Sequence, residues 1–576
     1  MLTRRSLVLL VLCLLPYIMM AQPADSGEKV KAQRRAVLVD QIVADIADLK
    51  LAENRATAYA RAGSIEWPLD QKRALNLYQN AISELINAQM LAESSTKTDG
   101  GQNDLLNGSG TRQQILNTIA SHDAALALDY LFKTRPAAVT KAMSADRDPK
   151  KIGNNSGNYI AQNEFNMEQS FVRMAAEQDP ARAKKLIEDA IAKGISGETL
   201  GLLKKLSEKE PSGAAGLASQ VVDKLMRTEL TVNGQPNYLV TQLMTGVLNE
   251  FLSGEKTTER TLKFDESQLR AMAQKLLSYS LEYGNYDGGY MLYSLIPIAQ
   301  RFAPSTVETL KTAARNSNCR GFCGAWDPEI QTLMNNGETT PEVLLAAANK
   351  VPGNQRNSIY QSAANKYVQQ GNVSKARELI SEKFSDDEAD EIMRNLDNQY
   401  ACKLMNEGNF SSAEQLIDTF PVNQRIGALI NLANTAYARD NEKNKAYALA
   451  LISKVRDVIG DPPENNFEFQ SVMQVVTSLM NIDPPEAFRI YESLVPQMND
   501  LSDAAAVIYG FQGGSNVRSG EFVIAYGSSF GYYGADSSQL PVLARSDFDR
   551  TLRLIDSFTR REIRVALKLQ LAEGMN

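Results

Sequence analysis

One six-residue pattern occurs twice in this chain, 37 residues apart. Ala364, Tyr367, Gly371, Asn372, Ala376 and Ile380 are matched in order by Ala401, Leu404, Gly408, Asn409, Ala413 and Ile417. A second echo, Pro352-Gly353-Asn354-Gln355-Arg356 and Pro421-Val422-Asn423-Gln424-Arg425, is separated by 69 residues, about two such units. A supersecondary unit of this size cannot close a core alone, so it buries its apolar face by stacking on its neighbours. Apolar residues at three-to-four spacing in segments rich in Ala, Leu, Gln, Glu and Lys make the units helical. The expected fold class is all-α: an α-α superhelix (solenoid) of stacked antiparallel helix hairpins with irregular loops.

Each repeated residue has a physical task. Alanines at 364 and 376 let two helices approach, Gly371 can take the left-handed turn that ends the first, and Ile380 fills the stack. In this order and spacing they resemble the tetratricopeptide repeat over about 350–460, with an N-terminal echo in Tyr59, Gly63, Ala74, Tyr78 and Ala81. The resemblance implies a groove lined by first helices, where some members hold a peptide carboxylate with Asn and Lys. Asn365 and Asn434 match the asparagine position. The lysine position four residues earlier is Gln361 and Ile430, which counts against a carboxylate clamp.

The first residues bear on where such a stack works. Arg4 and Arg5, an apolar run from Leu7 to Met20, and Ala21-Gln22-Pro23 read as a secretory signal cleaved after Ala21, with an uncleaved anchor as the alternative. The run is short of the roughly 20 residues that a span needs. The expected location is therefore periplasmic or secreted, with the membrane involved only through this segment. The formal charge of −7 and the lack of a Lys/Arg run argue against nucleic acid.

Read along the chain, the segments are 1–21 signal, 22–95 a long helix hairpin, 96–158 flexible loops with short helices and 159–350 irregular helical pairs. They continue as 351–510 repeats, 511–545 a Gly/Ser/Tyr-rich loop insertion and 546–576 C-terminal helices. In the first hairpin, one helix from Glu28 to Ala62 carries Val37, Ile42, Ile46, Leu49 and Tyr59, and Gly63 stops it. The second, from about Leu69 to Glu93, carries Ala74, Tyr78, Ala81 and Leu85. Prolines at 180, 211, 304, 328, 341 and 484 mark helix starts, where the missing backbone donor costs nothing.

Little of the sequence suggests chemistry. His122 is the only histidine, so histidine-based catalysis and most zinc sites are disfavoured, and no cofactor or metal is expected. Gly527-Ser528-Ser529-Phe530-Gly531 fits a nucleophile-elbow pattern, but the residues after it have loop composition and no histidine follows. The acidic run Ser385 to Glu391 lacks a calcium loop's glycine and reads as a helix start. Cys319 and Cys323 are expected to form a local disulfide in an oxidising compartment, the alternative being two reduced structural thiols. Cys402 reads as a small buried residue.

Candidate contact residues remain. Tyr279, Tyr283, Tyr286, Tyr290 and Tyr293 flank the turn at 284–289. They either pack helix ends or present Tyr283, Tyr286 and Tyr290 as a carbohydrate- or peptide-binding patch. Arg356 and Arg425 sit in first helical turns, where a cation opposes the dipole. Either an inter-repeat ion pair or a ligand-facing anion contact would account for them. The leading expectation is an exported module that binds or scaffolds a protein or peptide, not an enzyme. The alternative is a carbohydrate-binding or carbohydrate-active envelope protein on the same kind of scaffold, whose glycosidase form would need two facing carboxylates.

Overall fold

A computed structural model describes residues 25–94, 110–144, 156–179, 183–208, 210–232, 235–254, 262–283, 289–316, 328–351, 353–512, 516–524 and 540–575. The signal-like segment, the Gly527–Gly531 pattern and the Cys319–Cys323 pair lie outside these residues. So do the side chains of Tyr283, Tyr286 and Tyr290. Among the described residues the fold is all-α, with two short β-hairpins. The N-terminal helices are α1 (Asp25–Ile46), α2 (Ala52–Glu66), α3 (Gln71–Ser94) and α4 (Thr111–Ala120). Next come α5 (Ala124–Lys133), α6 (Ala137–Ser144), α7 (Ser156–Gln178), α8 (Ala183–Lys193), α9 (Thr199–Ser207) and α10 (Pro211–Arg227). After the hairpin β1 (Thr231–Val232) and β2 (Gln235–Pro236) follow α11 (Tyr238–Gly254), α12 (Glu266–Tyr283), α13 (Gly289–Ser294), α14 (Ile296–Phe302) and α15 (Val307–Asn316).

The repeat region comprises α16 (Pro328–Asn335), α17 (Pro341–Ala348), α18 (Gly353–Gln369), α19 (Val373–Lys383), α20 (Asp386–Glu407) and α21 (Phe410–Ile417). It continues through α22 (Val422–Arg439), α23 (Asn441–Arg456) and α24 (Asn466–Ile482) into α25 (Pro484–Phe511). The chain ends with the hairpin β3 (Val517–Arg518) and β4 (Glu521–Phe522), then α26 (Leu540–Ser546), α27 (Phe548–Asp556) and α28 (Arg561–Glu573). Two compact units result: one from the chain ends, 1–122 with 492–576, the other from 123–491.

In the second unit, each helix from α17 to α23 packs on the next, and α18, α20, α22 and α24 also pack on one another in turn, the hallmark of stacked hairpins. The 37-residue repetition is visible in the backbone. Gly371 and Gly408 both have φ of +84°, a conformation that costs a side-chain-bearing residue about 1–2 kcal/mol. The following amide closes the same bond in each case, Asn372 N to Tyr367 O and Asn409 N to Leu404 O, both at 2.8 Å. These are Schellman turns. Behind them Ala364, Ala376, Ile380, Ala401, Ala413 and Ile417 are buried, each isoleucine contributing about 1.5–3 kcal/mol of apolar burial. The same core takes in Ile330, Leu344 and Ala348. Stacking therefore starts at α16 and α17, before position 351, because α17 forms a hairpin with α18.

In the other unit, the expected single helix from Glu28 to Ala62 is two helices, broken at 47–51 by a turn that bonds Asp48 N to Asp45 O. Val37, expected on the apolar stripe, is 51% exposed. Gly63 does not stop α2 but lies inside it: a Cβ there would stand 2.6 Å from the Tyr78 ring, so its bareness lets α2 and α3 close up. Ala74, Tyr78, Ala81 and Leu85 are all buried on α3.

α1 and α2 also pack against α28, so the first and last helical segments share one core. Part of the stretch read as a loop insertion belongs to it too: β3 and β4 pair, with Val517, Phe522 and Ile524 buried. Glu521 accepts from Lys50 N (2.7 Å), Leu51 N (3.3 Å) and Asn54 Nδ2 (2.6 Å), satisfying donors at the start of α2. Asn54 completes the join, donating to Phe522 O and accepting from Ile524 N. Arg61 pairs bidentately with Glu573, and Lys568 bridges Asp45 and Asp556.

Candidate binding groove

The first helices of two successive hairpins, α18 and α20, lie side by side with α19 behind them. On α18, Ile359, Ala363, Ala364 and Tyr367 turn into the core. The four-residue spacing of Asn357, Gln361 and Asn365 puts them together on another face, as i and i+4 positions on a helix must be. On α20, Ala389, Leu396, Ala401 and Leu404 are buried, leaving Glu388, Glu391, Asn395, Asn398 and Gln399 on the side facing α18. Together these residues line a groove of about 620 Å³, with Phe384 and Ile392 as its apolar part. A second compartment of about 580 Å³ shares Asn398 and Gln399 and adds Val368, Gln369, Cys402, Lys403, Asn406 and Glu407. The groove is therefore continuous along α20.

The groove is notable for its carboxamides. Asn357, Gln361, Asn365, Asn395, Asn398 and Gln399 all line it, and among the described residues none has a side-chain hydrogen-bond partner. An amide carries two donors and an accepting oxygen. Six on facing helices form a row that can pair with an extended polypeptide backbone. Glu391 is exposed and likewise unpaired, whereas Glu388 accepts from Ser385 N and Oγ at 3.3 and 2.8 Å in a capping box. The acidic run is thus a helix start.

Sequence-derived candidates divide sharply here. Asn365 lies in the groove. Its counterpart Asn434 does not: its Nδ2 donates to Ser478 Oγ at 3.0 Å, tying α22 to α24. Gln361 lines the groove and Ile430 is buried, so neither lysine position of the clamp carries a cation. Among the described residues, Arg356 and Arg425 form no inter-repeat ion pair. Arg356 Nε donates to Val351 O (3.1 Å) and Arg425 Nη1 reaches Asp418 O (3.5 Å), so each guanidinium turns back to a carbonyl preceding its own helix. Such a contact offsets the unfavourable position at a helix start.

Cys402 is exposed, not buried. The buried stripe of α20 passes through Ala401, Leu404 and Met405, and position 402 falls beside it. Tyr293 is buried in the core of α7–α15 and Tyr279 packs against it, so these two members of the tyrosine cluster serve packing. Sequence reasoning singled out neither Asn357 nor the run Asn395, Asn398 and Gln399. Their spacing was the available signal, but polar residues on a helix normally mark only a solvated face.

Two other polar clusters have catalytic residue types. His122 Nε2 lies 2.8 Å from Ser64 Oγ and its ring stacks on Trp67 at 5.5 Å. Burial holds its pKa below the usual value, and no described acid bonds its other ring nitrogen. That arrangement lacks the orienting third group of a hydrolytic triad. Glu164 and Glu168 are buried, but both are held by Arg135 and Glu168 also by Lys193. Both carboxylates are thus taken up by ion pairs between helices of the protein itself. Among the described residues, no group of three or more His, Cys, Asp or Glu could hold a metal, and no helix is long and apolar enough to cross a membrane.

No protein-family model matches this chain. No curated protein matches its sequence. Among solved structures, it is similar to one described as a circular tandem repeat protein with novel repeat topology and enhanced subunit contact surfaces, at 12% identity. That alignment covers 91% of this chain and 98% of the other with a TM-score of 0.18, too low to carry an argument.

Proposed function

We propose that this chain is an exported binding or scaffolding module of tetratricopeptide-like design, acting without catalysis, and that the groove between α18 and α20 takes an extended segment of a polypeptide partner. The observation that carries this reading is the set of six carboxamides lining one groove without side-chain hydrogen-bond partners among the described residues. Stacked hairpins support it by holding facing helices at fixed spacing, a common way to present such a surface. Export rests on the first 21 residues: the basic pair, the apolar run and Ala21.

The test is capture and its loss. A photo-crosslinking residue at Gln361 is expected to trap a polypeptide from a native envelope or culture-medium extract. Asn365→Ala, Asn395→Ala and Gln399→Ala together should weaken that partner's binding by about a hundredfold, at roughly 1 kcal/mol per hydrogen bond. A triple variant that binds its partner as well as the parent would sink the groove assignment. Crosslinking to a glycan instead would favour the carbohydrate alternative. Mass analysis of the mature N-terminus tests cleavage after Ala21.

A further inference from the structure

The charges along the groove are uneven, and this points to the kind of segment it takes. The compartment that begins at the start of α20 is lined by Glu388 and Glu391 and by no lysine or arginine. Among the described residues, Glu391 has no ion-pair partner, and the one neighbour bonded to Glu388, Ser385, is uncharged. Of the nearby cations, Lys383 pairs with Glu382, Lys403 with Glu407 and Arg377 with Asp397. The exposed Arg394, one turn after Glu391, is not part of the lining and offsets only one of the acidic charges at the start of α20. Asp386, Asp387 and Asp390 flank the site without partners of their own, and the helix dipole at the start of α20 offsets only part of this charge. A carboxylate-bearing ligand meets repulsion here, and Gln361 supplies no cation to relieve it. Phe384 and Ile392 beside the acids offer apolar surface for the methylene stem of a long basic side chain.

The geometry points to an extended polypeptide segment bearing lysine or arginine, its backbone along the carboxamides and its cations toward Glu388 and Glu391. This rests on the peptide-binding reading above and gives it a polarity opposite to that of a carboxylate clamp. Charge complementarity of this kind selects the partner and speeds encounter more than it adds affinity.

Cys402, exposed in the adjoining compartment, is the reporter. The full chain is alkylated with N-ethylmaleimide, and the rate at Cys402 is read by peptide-mapped mass spectrometry. Three decapeptide pools compete, identical except that two fixed positions are Lys, Gln or Glu. The Lys pool is expected to protect Cys402 at a concentration about five- to tenfold below the Gln pool, and the Glu pool to be the weakest. Glu391→Gln should remove about threefold of that preference, as the loss of one exposed charge pair implies. Glu442→Gln, an exposed first-turn acid of α23, should leave it unchanged. Raising salt should compress the difference. Equal protection by all three pools, or a preference for Glu, overturns the polarity while leaving peptide binding standing. Protection by none overturns the peptide reading itself.

Discussion

Glu521, reaching from β4 to the start of α2, and Glu391, in the second turn of α20, are both glutamates close to a helix start, and the protein uses them in opposite ways. Glu521 is 4% exposed and takes three donors from residues 50–54, fastening the last hairpin of the chain to its first helices. Glu391 is exposed, unpaired and beside a row of carboxamides with the same unspent capacity. Burial forces polar groups to find partners, because an unmet donor or acceptor away from water costs about 1–3 kcal/mol. Polar groups that keep their valences open must face solvent or a ligand. The terminal join is therefore a stability device, and the α18–α20 groove is where binding can be gained or lost at little cost to the fold.

The largest effect that tests this contrast is expected at the join. Glu521→Ala strands two backbone amides and the Asn54 side chain, and should destabilise the unit formed by the chain ends by about 3–5 kcal/mol, the range for breaking a buried charged network. Differential scanning calorimetry should show that unit's transition falling while the repeat stack's transition stays in place. Glu391→Ala should move neither transition. If both variants were equally mild, the distinction between buried and open carboxylates would fail.

Next in size are the two turns of the repeat. Gly371→Ala forces a side chain into the left-handed region and should cost about 1–2 kcal/mol. Gly408→Ala carries the same strain and a steric one: its Cβ would lie 2.5 Å from Arg439 Nη1, displacing a guanidinium that donates to Asn406 O. Urea denaturation should rank Gly408→Ala as the more destabilising. Asn434 and Asn365 come third. Asn434→Ala loses the bond to buried Ser478 and should cost about 1 kcal/mol of stability with no effect on peptide capture. Asn365→Ala should leave stability within about 0.5 kcal/mol of the parent and weaken capture. The opposite pattern would reverse the roles assigned to these repeat-related asparagines.

How much of this was legible in the sequence follows from the range of the forces involved. The Gly-Asn turns were readable because a left-handed glycine, its closing bond and the alanines around it lie within about twenty residues. The groove was half readable: repeat alignment marked Asn365, but it marked Asn434 equally, and only the arrival of Ser478 on α24 separates them. Cys402 was misplaced by one step around the helix, since Ala401 and Leu404 define a stripe that passes beside it. The terminal join was out of reach. Asn54 and Glu521 are 467 positions apart, and nothing local in either segment names the other. The break at 47–51 belongs to that join, because Lys50 and Leu51 direct their amides to Glu521 instead of continuing α1.

The smallest predicted effect concerns His122, where burial without a compensating acid holds the pKa below its ordinary value. The sign follows from linkage. The folded chain holds this proton less readily than the unfolded chain, so the stabilising contribution is complete above the unfolded value of about 6.5. It is lost as pH falls from there toward the folded value. Glu66 works the other way: burial raises its pKa, so acidification favours its folded form. The net pH profile therefore mixes both, and the His122 part is the difference between parent and His122→Gln. Equilibrium unfolding at pH 7.5 and 5.5 should show the parent losing more stability on acidification than the variant. Trp67, stacked on the imidazole, should report the protonation locally in a Trp326→Phe background as a change in emission that His122→Gln abolishes. Identical pH profiles for parent and variant would mean that this ring is solvated in both states, and the Ser64–Trp67 contact would then have no part in the stability of the unit formed by the chain ends.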